Sequence, residues 1–165
     1  MSEEARDDSV LLEDRHKLTM EKVIMAQAIP YLAFNGNCAE AMRLYERVLG
    51  LGAQLEMMMS GAESPVAAHI PPDDAHRILH ARLRFDDGSF IYAGDTPVAR
   101  PYDGIKGVTI TMSYPSIAEA ERVFKALSEG GNITMPLGPT FWAKSAGMLT
   151  DKFGTPWAIN GEVII

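Results

Sequence analysis

Cysteine is nearly absent from this sequence. The 165-residue chain has one, Cys38, and a single thiol closes no internal disulfide, so covalent staples play no part in the fold. Long apolar runs are missing as well: no stretch approaches the roughly 20 residues that a membrane-spanning helix needs. Basic residues are outnumbered, 15 Lys and Arg against 22 Asp and Glu, for a formal net charge of −7. They form no cluster that could release counterions from a phosphate backbone, which excludes the usual footprint of a nucleic-acid binder. The N-terminus lacks the basic-then-apolar order of a signal peptide. The expectation is a cytoplasmic protein with neither nucleic acid nor membrane among its partners. There is also no Gly-rich turn after a parallel strand to cradle a nucleotide-like cofactor.

What the chain does have is apolar content, 47% of residues, enough for one compact domain or two small fused halves. Residues 1–24 stand apart. Glu3, Glu4, Arg6, Asp7, Asp8, Glu13, Asp14, Arg15 and Lys17 surround only a few apolar residues, chiefly Val10, Leu11, Leu12 and Leu18. Such a segment buries too little surface to offset its ordering entropy. It reads as a charged extension, either a tail or a short helix docking its leucines on a neighbour, ahead of a domain at 25–165.

Within that domain the chain repeats itself. Displaced by 79 positions, Ile29–Gly52 falls on Val108–Gly131 without a gap, and Ala39-Glu40-Ala41 lands on Ala118-Glu119-Ala120. Asn37 with Glu40, and Ser116 with Glu119, have capping-box spacing at a helix start. Met42, Tyr45, Val48 and Leu49, and Val123, Phe124 and Leu127, follow at helical spacing, and Gly52 and Gly131 read as stops. A strand precedes each helix, Ile29–Phe34 and Val108–Tyr114; Gln54–Met59 and Asn132–Met135 are strands that follow. Each copy ends in a hairpin, around Leu83–Ala93 and Met148–Asn160, in register at a displacement of 66, so the first copy carries 13 extra residues. Those fall in the Pro- and Asp-rich loop within Ser60–Ile78. Each unit is β-α-β-β-β, one at about 28–95 and one at about 106–161, and the fold class is α+β.

One helix covers one face of such a sheet, and the other face must be buried elsewhere. Two sheets that curve toward one another would enclose a cup suited to a small molecule. Along Val108–Tyr114, Val108, Ile110 and Met112 alternate with Thr109, Thr111 and Ser113, so the hydroxyl set is expected in the cup. Under the same displacement Pro30, Leu32 and Phe34 are the expected cup residues of the first unit.

The doubled unit resembles the vicinal oxygen chelate superfamily, which includes glyoxalase I, bleomycin-resistance proteins and extradiol dioxygenases. Phe34–Tyr45 (F-N-G-N-C-A-E-A-M-R-L-Y), Ile78–Ala81 (I-L-H-A), Thr140–Ala143 (T-F-W-A) and Thr150–Asn160 (T-D-K-F-G-T-P-W-A-I-N) resemble its PhnB-like branch, often labelled demethylubiquinone methyltransferase-like. The resemblance implies a cupped mixed sheet of two tandem modules and a homodimer. Metal-dependent members place His and Glu ligands on the first and last strand of each module. Those positions fall near Pro30, Tyr92, Thr109 and Ala158, and a shift of one gives Ile29, Ile91, Val108 and Trp157. Neither set offers a ligand shell for a divalent ion, so neither a metal nor another cofactor is expected.

Other groups carry two readings each. His80 shares its strand face with Arg82 and Arg84; it is a base or donor beside an anion-binding arginine, or part of a wet strand face. A two-residue turn at Asp87-Gly88 would set Leu83 opposite Tyr92, and a three-residue turn would set Arg82 there. Trp142, beside Phe141, either caps the cup or packs at a subunit interface. Trp157 is expected in the core, and Cys38 beneath the helix start. His16, His69 and His76 read as surface residues. The expected ligand-binding set is Phe34, His80, Tyr92, Thr109, Thr111, Phe141 and Trp142, with no catalytic residue assigned. The leading expectation is a small-molecule-binding protein; the alternatives are a metal-dependent lyase, isomerase or dioxygenase, and an antibiotic-sequestering resistance protein.

Overall fold

The structure, a computed structural model, describes residues 26–165; the charged extension at 1–24 lies outside them. The first unit runs β1 (Tyr31–Phe34), α1 (Cys38–Val48), β2 (Gln54–Ser60), β3 (Ile78–Arg84) and β4 (Phe90–Asp95). The second runs β5 (Ile110–Tyr114), α2 (Ile117–Ser128), β6 (Asn132–Gly138), β7 (Ala143–Thr150) and β8 (Pro156–Val163). Each forms its own four-stranded sheet, in the order β1-β4-β3-β2 and β5-β8-β7-β6, with the first strand parallel to the last and the others antiparallel. Two short 3₁₀ turns, Ala67–His69 and Pro72–Asp74, occupy the long loop of the first unit. This is the α+β architecture of two β-α-β-β-β modules.

Each helix buries one stripe. Cys38, Ala41, Met42 and Tyr45 of α1 and Ala120, Val123, Phe124 and Leu127 of α2 are buried, and each large side chain removed from water contributes about 1.5–3 kcal/mol. The second helix approaches its sheet closely: a Cβ added at Gly161 would lie 2.9 Å from Ala120 Cβ and 3.0 Å from Ile117 Cα. The helix starts differ in kind. Ser116 accepts from the Glu119 amide as a cap should, whereas Asn37 makes no such bond. Its place is taken from β4, where Asp95 Oδ1 accepts from the amides of Gly36 and Cys38 while Oδ2 accepts from Ile78.

The units share one core. Tyr45 on α1 packs edge-on against Trp157 of β8, ring centroids 5.1 Å apart, and its hydroxyl lies 2.6 Å from Asp151 Oδ2 and 2.8 Å from Thr155 Oγ1. Asp151 also accepts from Trp157 Nε1 and from the Phe153 and Thr155 amides. The end of α1 is closed from the second unit too, where Tyr114 donates to the Leu49 carbonyl and Arg122 to that of Val48. These bonds satisfy carbonyls that a helix end leaves without partners, and they fix one module against the other.

The expected face of β1 is wrong. Leu32 and Phe34 are buried in the helix-side core, at 2% and 0% exposure, while Tyr31 and Ala33 face the other way. The cause is one residue of loop: Asn35 and Gly36 separate β1 from Asn37, but only Pro115 separates β5 from Ser116. The helices repeat at 79 and the strands at 80, and a slip of one inverts every side chain in a strand. Phe34 is therefore withdrawn from the ligand-facing set and Leu32 is not an open-face residue, while Pro30, just before β1, is half-buried. Trp157, fully buried, and Cys38 lie where expected.

Candidate functional site

The face of each sheet turned away from its helix is open, and alternation decides what it carries. On the first sheet Ala81, Leu83, Ile91 and Ala93 point to the core, which leaves His80, Arg82, Arg84, Phe90 and Tyr92 on the open side. The turn between β3 and β4 sets Arg82 opposite Tyr92, the three-residue alternative. Gly94 is the special position there. A Cβ on it would lie 2.6 Å from the Tyr31 hydroxyl and 2.9 Å from the Leu79 carbonyl. With no Cβ present, Tyr31 lies across β4 and donates to that carbonyl at 3.1 Å.

The result is a row of rings. Tyr31 stacks on His80 at 5.8 Å, His80 meets Tyr92 edge-on at 5.0 Å, and Tyr92 meets Phe90 at 5.8 Å. Burial, and after it the neighbouring Arg82 charge, holds His80 below the usual imidazole value, so it is neutral near pH 7 and free to act as donor or acceptor. Arg84 grips Glu56 at 2.6 Å, whereas Arg82 reaches the same carboxylate only at 3.6 Å.

On the second sheet the open side carries Thr111 and Ser113 of β5 and, paired with them across the parallel ladder, Ala158 and Asn160 of β8. Trp142, in the turn between β6 and β7, donates through Nε1 to Asn160 Oδ1 at 3.1 Å, and Asn160 Nδ2 donates to Ser113 Oγ at 3.4 Å. Trp142 thus lies over the rim of this face. Phe141 stands beside it edge-on but is 79% exposed. Thr109 is exposed in the segment before β5.

A cavity of about 590 Å³ runs along the free edge of β5. Phe90 from the first open face and Thr111 and Ser113 from the second border it. Pro30, Leu51, Phe85 and Ile110 supply apolar walls, and Asp86, Asp87 and Ser89 of the β3–β4 turn close one end. Of the ligand-facing residues expected from sequence, Thr111 lines this cavity directly. Tyr92 and His80 extend from it through Phe90, and Trp142 reaches it through Asn160 and Ser113. Thr109 and Phe141 do not border it. Sequence reasoning missed Tyr31, Phe90 and Asn160, and it placed Ser113 on the cup side without including it in the ligand-binding set.

The sequence model of the glyoxalase/bleomycin resistance protein/dioxygenase superfamily matches residues 28–159. The chain belongs to that superfamily. Among its relatives, protein YjdN of Escherichia coli K12 is 36% identical over 141 residues, covering 79% of this chain and 92% of YjdN. Protein PA1353 from Pseudomonas aeruginosa is 48% identical, covers 84% of this chain and 98% of its own, and superimposes with a TM-score of 0.76. The PhnB protein of Bacillus cereus, 22% identical with 82% and 98% covered and a TM-score of 0.67, has the same fold.

Of the four positions that the resemblance puts at a metal, Tyr92 and Ala158 stand on the open faces, but their ladder partners on the first strands are Tyr31 and Thr111 rather than the expected Pro30 and Thr109. Two phenols, a hydroxyl and a methyl group do not fit a divalent ion, which prefers imidazole and carboxylate. Among the described residues no three His, Cys, Asp or Glu side chains converge. Nor is any described helix long and apolar enough to cross a membrane. Cys38 is buried, and burial, with Asp95 adding to it, pushes its thiol up to about 12, which leaves it neutral and a poor nucleophile.

Proposed function

We propose that this protein binds an organic small molecule in the cavity along β5, the ligand resting on the open faces of both sheets. The observation that carries the reading is the lining: apolar walls from Phe85, Phe90 and Ile110 with the hydroxyls of Thr111 and Ser113 set among them. Ligand sites commonly combine a largely apolar surface with a few polar groups that fix orientation. The volume, about 590 Å³, suits a molecule of two or three fused or linked rings. The binding role draws on no metal, since the ladder positions carry no ligand set for one.

The test uses N-phenyl-1-naphthylamine, a neutral dye that brightens in apolar surroundings. The wild-type chain should bind it saturably, and Thr111→Trp, which fills the cavity, should remove the signal without lowering the unfolding midpoint. Binding that survives the filled cavity would overturn the reading.

We also infer a homodimer, supported by the apolar group that Phe141, Ile164 and Ile165 leave exposed beside Trp142. Ile164 donates to the Trp142 carbonyl and so draws the C-terminus to this rim. Light scattering should return twice the mass of one chain, and Phe141→Asp should return a single one.

A further inference from the structure

The open face of the first sheet holds more cationic charge than its own residues neutralise. Arg82 and Arg84 share one carboxylate, Glu56, and Arg84 takes the close contact at 2.6 Å. Arg82 Nε is buried and has no hydrogen-bond partner among the described residues. A guanidinium N–H withdrawn from water without an acceptor is unfavourable. Among the described residues Glu56 is the one carboxylate within ion-pair reach of Arg82. His80, held neutral beside Arg82, adds no second charge and leaves its ring available for packing.

The rings around this arginine are ordered. Tyr31, His80, Tyr92 and Phe90 form a continuous row with centroid spacings of 5.0–5.8 Å, and the row ends at the cavity wall, since Phe90 belongs to both. Arg82 stands opposite Tyr92 in the ladder. A flat conjugated molecule would find offset-stacking and edge-on partners along the row. An oxygen anion on its margin would meet the outer part of the Arg82 side chain, which is 40% exposed and holds Glu56 only at 3.6 Å.

We propose that the ligand of this site is a planar aromatic or conjugated anion, its ring system lying on the Tyr92–His80 row and its carboxylate or equivalent oxyanion paired with Arg82. This rests on the small-molecule reading above and narrows it to a chemical class. Arg82 selects the charge; Tyr92 and His80 select flatness. The overall negative charge of the chain, −7, repels anions from the surface at large, so selection depends on this one arginine.

Calorimetric titration with 2-naphthoate, 2-naphthylmethanol and cyclohexanecarboxylate separates the terms. The wild-type chain should bind naphthoate at least about tenfold more tightly than either the neutral alcohol or the non-planar acid. Arg82→Met should erase the preference over the alcohol, and Tyr92→Leu the preference over the cyclohexane acid, with the circular dichroism spectrum and cooperative urea unfolding of each variant as the control for folding. Equal affinity for naphthoate and its alcohol, or a preference that survives Arg82→Met, would overturn the proposal while the dye result upholds the cavity. Failure of both dye and naphthoate to bind would end the two readings together.

Discussion

Tyr45→Phe tests how the two modules are held together. The substitution removes one oxygen and changes no packing shape, so no cavity term enters. A phenol has a single proton and the Asp151 carboxylate has none, so the hydroxyl donates to Asp151 Oδ2 at 2.6 Å and accepts from Thr155 at 2.8 Å. Burial, with the adjoining Asp151 charge, raises the phenol far above its ordinary value, so the proton stays on Tyr45 throughout the accessible pH range. A hydrogen bond to a charged group contributes about 1.5–3 kcal/mol, and an orphaned buried hydroxyl, here Thr155, costs about 1–3 kcal/mol more. Asp151 keeps three other donors, which limits the damage. The expected loss is about 3 kcal/mol in urea unfolding, or a melting temperature lower by roughly 6–12 °C for a domain of this size. Thr155→Val in the Tyr45→Phe background should restore part of it, because the orphaned hydroxyl goes. A loss under about 0.5 kcal/mol, or strictly additive effects of the two substitutions, would show that the contact is incidental and that the modules are joined by other means.

Other consequences are independent of that one. Cys38, buried and with its thiol raised to about 12, should resist a disulfide reagent in the native chain and react in urea; prompt labelling of the folded protein would contradict its placement. The His80 ring protons, followed by NMR, should titrate below the usual imidazole value of about 6.5, and Arg82→Met should recover only the smaller part of the shift because burial is its first cause. Since the folded value is depressed, whatever stability neutral His80 contributes is complete above the unfolded value and is lost as pH falls through the folded one. Gly94→Ala should drive Tyr31 off the Leu79 carbonyl, given the 2.6 Å approach, and weaken naphthoate severalfold with little change in dye binding. Trp142→Ala should weaken any cavity ligand through the loss of its bond to Asn160 while leaving the unfolding midpoint nearly unchanged, and an unaltered affinity would remove Trp142 from the site.

How much of this is legible in the sequence depends on contrast within each strand. In β5 the alternation of Ile110 and Met112 with Thr111 and Ser113 separates two chemistries, and it names the open face correctly. In β1 the sequence Tyr31-Leu32-Ala33-Phe34 is apolar on both sides, so parity had to be borrowed from the repeat. The repeat is aligned best by its helices, where capping residues and the shared tripeptide agree, and a loop one residue longer before α1 is invisible to that alignment. The error put Phe34 in the site and hid Tyr31. That His80, Arg82 and Arg84 share a face was legible because β3 carries its own contrast with Ala81 and Leu83, but which way that face looks was not, because it depends on the length of the β3–β4 turn.

The remaining gaps have a different physical source. Asn37 occupies the expected position at the start of α1, yet the amides there are taken by Asp95, a residue 59 positions from Gly36; local spacing cannot register a cap that arrives through the sheet. Asn160 is the same kind of case: it sits at a strand position of ordinary composition, and it becomes part of the site because the ladder sets it beside Ser113. Sequence periodicity fixes which residues share a face, whereas the ladders fix which of them are neighbours. The binding row along Tyr31, His80, Tyr92 and Phe90 depends on neighbours: it crosses three strands of the first sheet, and the empty Cβ position at Gly94 is what lets its first member join the rest.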